Sequence, residues 1–333
     1  VNLLVTGGAG FIGSNFIHWM LARHPDCRIV NLDKLTYAGN LENLQEVEGD
    51  PRCRFLQGDI CDPQAAAEAM AEAELVVNFA AESHVDRSIE DPEAFLRTNI
   101  MGVHTLLLEA RRRQVRLFVQ VSTDEVYGSI AQGAFAETDP LTPSSPYSAS
   151  KAAGELLARS FWITYGLPVL VTRATNNIGP YQYPEKVVPL FATNALQDQP
   201  LPLYGDGQQQ RDYLHVADHC AALDLLLSRG QPGEIYNIGA DNHLCNLDMA
   251  RLVLQITGKP ASLLQHVADR PGHDRRYAVN SAKLRALGWA PRCDAQAALR
   301  ITVRWYMDHP QWWQPIKSGA RYQEYYRRTY AGR

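Results

Sequence analysis

Short apolar runs separated by helical patterns fill the first half of the chain, and this alternation predicts parallel strands joined by crossover helices. The predicted strands are Asn2–Thr6, Arg28–Asp33, 54–58, 75–80, Leu117–Thr123 and Val169–Ala174. Several are apolar at almost every position, the pattern of strands covered by helices on both faces. Residues 92–113 read as one helix. Phe95, Ile100, Val103, Leu106 and Leu107 share its apolar face, and Arg111, Arg112 and Arg113 complement the dipole at its end.

Past Gly179 the texture changes. Pro180, Pro184, Pro189, Pro200 and Pro202 interrupt any long regular element, which predicts loops and short segments. A strand at 234–239 returns to the sheet, and helices near 248–257, 281–287 and 295–307 build a smaller lobe. The expected fold class is α/β: a Rossmann-type doubly wound parallel sheet with a smaller C-terminal α/β lobe for the substrate. Residues 1–178, with strand 234–239, form the first part; 179–233 and 240–333 form the second.

Of the 333 residues, 46% are hydrophobic and 20% charged, as in ordinary globular enzymes. A net charge of -4 provides no footprint for nucleic acid, so an anionic ligand needs a local cluster of Arg and Lys. No apolar stretch approaches the roughly 18 residues that span a bilayer, and the chain opens on a strand pattern. A cytoplasmic protein without membrane contact is expected. The six cysteines, Cys27, Cys53, Cys61, Cys220, Cys245 and Cys293, form no CxxC pair and read as reduced thiols. His215 and His219 stand four apart without a third ligand, so no metal is expected.

Gly7, Gly10 and Gly13 punctuate the turn after the first strand and open a helix. A turn of this kind cradles a dinucleotide pyrophosphate, and Asp33, ending the second strand, suits an adenosine ribose. NAD is therefore expected rather than NADP. Phe11 and Ile12 in the turn, Lys34 and Thr36 after the acid, and Asp59 and Ile60 after the third strand are the further cofactor candidates. Phe79, Ala80, Ala81 and Ser83, following the fourth strand, join them.

Tyr147 and Lys151 are spaced to share a helix face, with Pro146 in its first turn and Ser144 or Ser145 as cap. A lysine ammonium and a cationic nicotinamide move a tyrosine toward acting as a base. Thr123 lies at the carboxyl end of a strand, where such sheets place ligands. Asp124 and Glu125 follow it. Adjacent carboxyl groups repel when both ionise, which fits one as acid and the other as base; the alternative is a cap on the turn before Val126.

These motifs resemble the extended short-chain dehydrogenase/reductase superfamily, and within it the nucleotide-sugar 4,6-dehydratases. The resemblance runs through 6–13, DKLTYAGN at 33–40, AAESHVDRS at 80–88, STDEVYG at 122–128, SPYSASK at 145–151, NNIGPYQYPEK at 176–186, YGDG at 204–207 and RPGHD at 270–274. It implies dehydration of dTDP-glucose: Tyr147 works at C4, Glu125 removes the C5 proton and Asp124 protonates the departing C6 hydroxyl, with NAD regenerated in each turnover. UDP-glucose or another nucleotide sugar is the alternative substrate; a 4-epimerase or a nucleotide-sensing module are the alternative functions. The same resemblance implies Thr98 and Asn177 at the cofactor, and Ser83, Thr123 and Asn176 at the sugar. Lys186, Val187, Pro202 and Tyr204 would flank the nucleotide, as would Arg211, Asn246, Arg270 and His273. Guanidinium forks suit a diphosphate in any case.

Ala174, Thr175 and Ile178 depart from the family's usual Cys-small-Asn-Asn-Tyr run. The aromatic tail from Trp305 to Tyr330 is expected to pack the lobe. Helices 92–113 and 146–165 carry apolar faces that would either pair in a homodimer, as the resemblance implies, or be covered within one chain.

Overall fold

The computed structural model describes residues 1–330. Six strands follow the predicted order: β1 (Asn2–Thr6), β2 (Arg28–Asp33), β3 (Cys53–Gln57), β4 (Leu75–Asn78), β5 (Leu117–Thr123) and β6 (Val169–Ala174). Six more follow: β7 (Asn176–Ile178), β8 (Leu201–Tyr204), β9 (Gln210–His215), β10 (Ile235–Ile238), β11 (His243–Cys245) and β12 (Leu264–Val267). The main sheet has seven parallel strands in the order β10-β6-β5-β4-β1-β2-β3. Strand order reverses beside β1, and open sheets of this kind bind ligands in the crevice at that point.

Both faces of the sheet are buried, as the continuous apolar runs predict. Leu3 and Val5 enter one core while Leu4 enters the other, and Phe118 faces opposite to Leu117 and Val119. Each such side chain contributes about 1.5–3 kcal/mol by leaving water. One polar row crosses this apolar field: Thr6 Oγ1 donates to Asn78 Oδ1 at 2.5 Å, and Asn78 Nδ2 to Gln120 Oε1 at 2.9 Å. β4 stops at Asn78, short of the predicted 80, so Phe79 onward is free to turn into the crevice.

The stretch 92–113 is not one regular helix. An α-helix at Pro92–Leu96 passes through a π-helical turn, Arg97–Gly102, into the helix Val103–Arg113. Tertiary contacts hold that wide turn. Asn99 accepts from the Glu82 amide at 2.9 Å and donates to the Glu82 carbonyl at 3.0 Å and to Ser150 Oγ at 2.8 Å. A periodicity argument cannot see such a turn, which often marks a functional site.

The proline-rich stretch also differs from expectation, because it contains the ten-residue helix Val187–Leu196 with Pro189 inside its first turn. Backbone N–H groups there have no intrahelical acceptor, so the proline removes nothing. Two helices from segments expected in the lobe cover the main sheet instead. Val216, Cys220, Leu223 and Leu226 of Val216–Arg229, and Leu284 of Ala282–Ala286, belong to the core built on β1.

The smaller lobe has its own core, in which Phe191, Tyr213, Val253, Leu299, Tyr306 and Trp313 meet beside the sheets β11-β9-β7 and β12-β8. Trp312 Nε1 donates to Asn43 Oδ1 at 2.9 Å, tying the lobe to the segment after β2. Among the described residues no helix is long and apolar enough to cross a membrane.

Candidate active site

The crevice at the carboxyl ends of β1, β2, β4 and β5 is lined by Gly7, Gly10, Phe11, Ile12, Gly13, Asp33, Lys34, Thr36, Asp59 and Ile60. Phe79, Ala80, Ala81, Ser83, Thr98 and Asn177 complete that wall. The glycine turn leaves no room for side chains. Gly7 has φ +72°, and a Cβ there would lie 2.6 Å from the Ala80 nitrogen; one on Gly13 would lie 2.3 Å from the Gly7 carbonyl. Asp33 accepts from the Ala9 amide at 2.9 Å and the Leu35 amide at 2.8 Å, which fixes its carboxylate while each oxygen keeps a lone pair for a hydroxyl. Lys34 pairs with Asp59 at 2.8 Å, so these two candidates act on one another.

Thr123, Asp124, Glu125, Tyr147 and Lys151 meet at the inner end of the same crevice. Tyr147 and Lys151 come from the helix Pro146–Tyr165, whose start is fixed by a reciprocal Ser145–Ser148 capping box. Lys151 Nζ donates to the Val121 carbonyl at 2.6 Å, and burial pushes the ammonium down to about 8. The sequence expectation of a lowered Tyr147 needs correction for the polypeptide taken by itself. Burial and the Glu125 carboxylate push the phenol above its ordinary range, against a hydrogen bond from Thr123.

Asp124 and Glu125 open a short turn, Asp124–Tyr127, capped by Thr123, whose Oγ1 accepts from the Glu125 amide at 3.3 Å. Asp124 is 2% exposed. Burial first, then the neighbouring Glu125, raises its carboxyl well above the usual range, which is the condition of a group that keeps a proton. Glu125 is raised by burial too, but Arg270, Lys186 and Arg211 all pull it back down. The cap of this turn is Thr123 rather than either carboxyl group, which leaves both acids without a capping bond in it.

A second cavity continues from this point. Glu125, Asn176, Asn177, Gln182, Glu185 and Lys186 line both. Val187, Pro202, Tyr204, Arg211, Asn246, Arg270 and His273 line the second, so it gathers the candidate nucleotide residues from widely separated segments. Lys186, Arg211 and Arg270 supply the local positive charge that the overall composition lacks. Arg211 lies over the Tyr277 ring at 4.3 Å and donates to the Asp274 carbonyl at 3.0 Å. Arg270 is held by Asp86 at 3.3 Å, with its Nε buried and unpartnered.

Sequence reasoning missed several residues here. Asp86 accepts from both Arg270 and Tyr204. Arg87 forks onto Glu185 at 2.9 and 2.8 Å between the Tyr37 and Tyr325 rings. Asp86 and Arg87 stand inside the run 80–88, so the motif contained them, but nothing in its spacing announces their partners. Tyr330 also lines the nucleotide cavity, which corrects the reading of the aromatic tail as packing alone. Trp305, Tyr306, Trp312 and Trp313 do pack the lobe. His219 Nδ1 meets Asn177 Oδ1 at 3.0 Å, and His215 Nδ1 accepts from the Ala217 amide at 3.3 Å, giving each a structural partner. Ala174 and Thr175 line the cofactor crevice, while Ile178 borders the nucleotide cavity.

Sheet order, glycine turn and Tyr-Lys helix together define the extended short-chain dehydrogenase/reductase class. A family profile described as GDP-mannose 4,6 dehydratase matches residues 4–302, and the chain belongs to that family. It is 51% identical to a dTDP-glucose 4,6-dehydratase of Streptomyces antibioticus, over 95% of this chain and 96% of that protein. The crystal structure of DesIV, a dTDP-glucose 4,6-dehydratase from Streptomyces venezuelae with NAD and TYD bound, is 48% identical. It superposes with a TM-score of 0.93, covering 95% of this chain and all of that one. A UDP-glucose 4-epimerase of Thermus thermophilus in complex with NAD is 34% identical, with a TM-score of 0.86 over 92% of this chain and 99% of that one.

Proposed function

We propose that the chain is an NAD-dependent hydro-lyase converting dTDP-glucose to dTDP-4-keto-6-deoxyglucose. The observation that carries this reading is the meeting of Tyr147, Asp124 and Glu125 at the junction of two cavities, one walled by the glycine turn and the other by Lys186, Arg211 and Arg270. Epimerisation at C4 has no use for the acidic pair. The dehydratase relatives point the same way.

The residues present fit the cofactor: the glycine turn allows backbone approach to a pyrophosphate, and Asp33 accepts from ribose hydroxyls. Bound NAD supplies the hydride acceptor for C4, the hydride returned at C6, and a positive charge beside the phenol. Tyr147 takes the proton from the C4 hydroxyl, with Lys151 and Thr123 holding the geometry. The resulting ketone acidifies the C5 proton, which Glu125 removes, and Asp124 gives its proton to the C6 hydroxyl leaving as water. Glu125 returns its proton to C5, which completes the product and restores the carboxylate, and a proton equivalent to the one Tyr147 took from C4 passes through solvent to Asp124, so that all three groups end as they began. Lys186, Arg211 and Arg270 bind the diphosphate, and Asn176 and Ser83 orient the sugar.

The chain also pairs as a homodimer in this proposal. Leu96, Met101 and Leu108 are 50%, 56% and 47% exposed on one helical stretch, and Leu156 and Ile163 are 50% and 75% exposed on the adjoining helix. A seven-residue spacing puts Met101 with Leu108, and Leu156 with Ile163, on one face of each helical stretch. A two-fold pairing of that surface removes it from water.

Incubation with dTDP-glucose and NAD should release one water per sugar, with the product recognised by its alkaline 4-keto-sugar absorbance and its mass. Turnover of UDP-glucose alone would overturn the substrate, and recovery of a 4-epimer would overturn the reaction.

A further inference from the structure

The C-terminal helix Ala320–Tyr330 does more than finish the fold. Its last described residue, Tyr330, lines the nucleotide cavity with its ring 6.2 Å from that of Tyr204 and inclined by 30°. Tyr204 donates to Asp86 Oδ2 at 3.2 Å, and Asp86 Oδ1 takes Arg270 at 3.3 Å, so one buried carboxylate sets both an aromatic wall and a diphosphate ligand.

The helix is anchored from both sides of the cleft. Tyr325 lies under Arg87 at 4.2 Å and edge-on to His84 at 5.8 Å, and Arg328 pairs with Glu90, all on the sheet side. Tyr322 donates to the Pro184 carbonyl at 3.2 Å, and Tyr326 accepts from Asn194 at 3.1 Å, both on the lobe side. Placement of the wall is therefore fixed by tertiary contacts on two fronts.

The direction of the substrate follows from charge. The sugar must reach Tyr147 and Glu125, and the diphosphate must lie at Lys186, Arg211 and Arg270. The nucleoside then continues along the same cavity, whose remaining wall includes the apolar surfaces of Pro202, Tyr204 and Tyr330 and the polar atoms of Asn246 and His273. Planar bases stack on aromatic rings, and stacking of this kind is a common source of nucleoside affinity.

We propose that Tyr330 is a base-recognition residue, so that the C-terminal helix forms part of the nucleotide-sugar site. This rests on the dehydratase reading for the orientation of the substrate, and deepens it by adding a recognition element for the pyrimidine end. Asp86 is the positioning residue that holds Tyr204 opposite.

Calorimetric titration with dTDP and with inorganic pyrophosphate, beside steady-state kinetics with dTDP-glucose, tests it. For Tyr330→Ala we expect dTDP affinity to fall about tenfold and KM to rise in step. Pyrophosphate affinity and kcat should stay within about twofold, the margin expected when a base contact alone is lost. Tyr330→Leu, which retains an apolar filler, should show the same loss, and Tyr330→Phe should retain most of the affinity. Unchanged dTDP affinity in both the Ala and Leu variants overturns the proposal. So does a parallel loss of pyrophosphate affinity, kcat and melting temperature, the signature of a structural role. Wild-type protein that binds dTDP with the Tyr330 dependence but fails to dehydrate dTDP-glucose would sink the reaction while leaving Tyr330 in place.

Discussion

Thr123 Oγ1 donates to Asp124 Oδ1 at 3.3 Å, while Asp124 Oδ2 is buried with no hydrogen-bond partner among the described residues. An ionised carboxylate left so poorly solvated is expensive, which raises the Asp124 carboxyl and favours its protonated form. Glu125, one residue on, faces Arg270, Lys186 and Arg211 and is the member of the pair that these charges favour as carboxylate. In the proposed mechanism this difference in surroundings makes Asp124 the acid and Glu125 the base.

Asp124→Asn should cut kcat by about a hundredfold or more, the range of a lost general acid. Glu125→Gln should lose activity similarly but for a different reason. Deuterium exchange from solvent at the sugar C5 separates them: it should persist in Asp124→Asn and vanish in Glu125→Gln. Equal exchange in both would mean the roles are not divided this way. Because Asp124 is raised, wild-type activity should decline as pH rises through its folded value, when the acid is lost.

Tyr147→Phe should lower kcat by about two orders of magnitude or more, with dTDP affinity nearly unchanged. Lys151→Met should lose activity comparably, since the ammonium bonded to Val121 also fixes the helix face carrying Tyr147. Stopped-flow kinetics together with dTDP titration of each variant distinguishes lost chemistry from lost binding.

Asp33→Asn removes the negative charge while retaining one acceptor for the backbone amides of the turn. NAD affinity should fall about tenfold and discrimination against NADP should shrink, because the 2′-phosphate no longer meets a carboxylate. Dissociation constants for the two dinucleotides check this, and undiminished preference for NAD would place the selectivity elsewhere.

Acid should destabilise the fold through His219, which burial depresses from 6.5 to about 3. A depressed base contributes stability that is present above its unfolded value and is lost as pH falls through its folded value. The window therefore runs from about pH 6.5 down to about 3, at up to about 1.4 kcal/mol per pH unit. Buried His84, also held well below its ordinary value, adds a second such slope. Urea unfolding between pH 7 and 4 should show a shallower loss in His219→Gln than in the wild type.

Met101→Glu combined with Ile163→Glu should leave a folded monomer if the exposed helical face is the dimer surface. Sedimentation velocity reads the outcome. A wild-type monomer, or a variant that remains dimeric, would remove the proposed pairing.

Much of this molecule was legible without coordinates because its signals are local. Leu3, Leu4 and Val5 announce a strand with two buried faces, and the Gly7–Gly13 spacing announces a tight turn into a helix, since both follow from chain geometry within a few residues. Tyr147 and Lys151 share a face because four residues make about one helical turn. What failed were inferences in which a local rule met a distant partner. Residues 97–102 read as ordinary helix until Asn99 is seen bridging Glu82 and Ser150, and Pro189 reads as a breaker until it falls in a first turn.

Periodicity and short spacings in the chain were enough to give the order of the sheet strands, the glycine turn and the candidate acid–base groups. The tertiary structure buries Asp124 beside Glu125 and so raises its carboxyl above the usual range, which no local pattern announces. It alone brought Lys186, Arg211 and Arg270 onto one cavity with Glu125, and Tyr330 across from Tyr204. Burial and charge at those positions depend on segments more than a hundred residues apart in the chain, such as Asp86 and Arg270, so no window of sequence contains them.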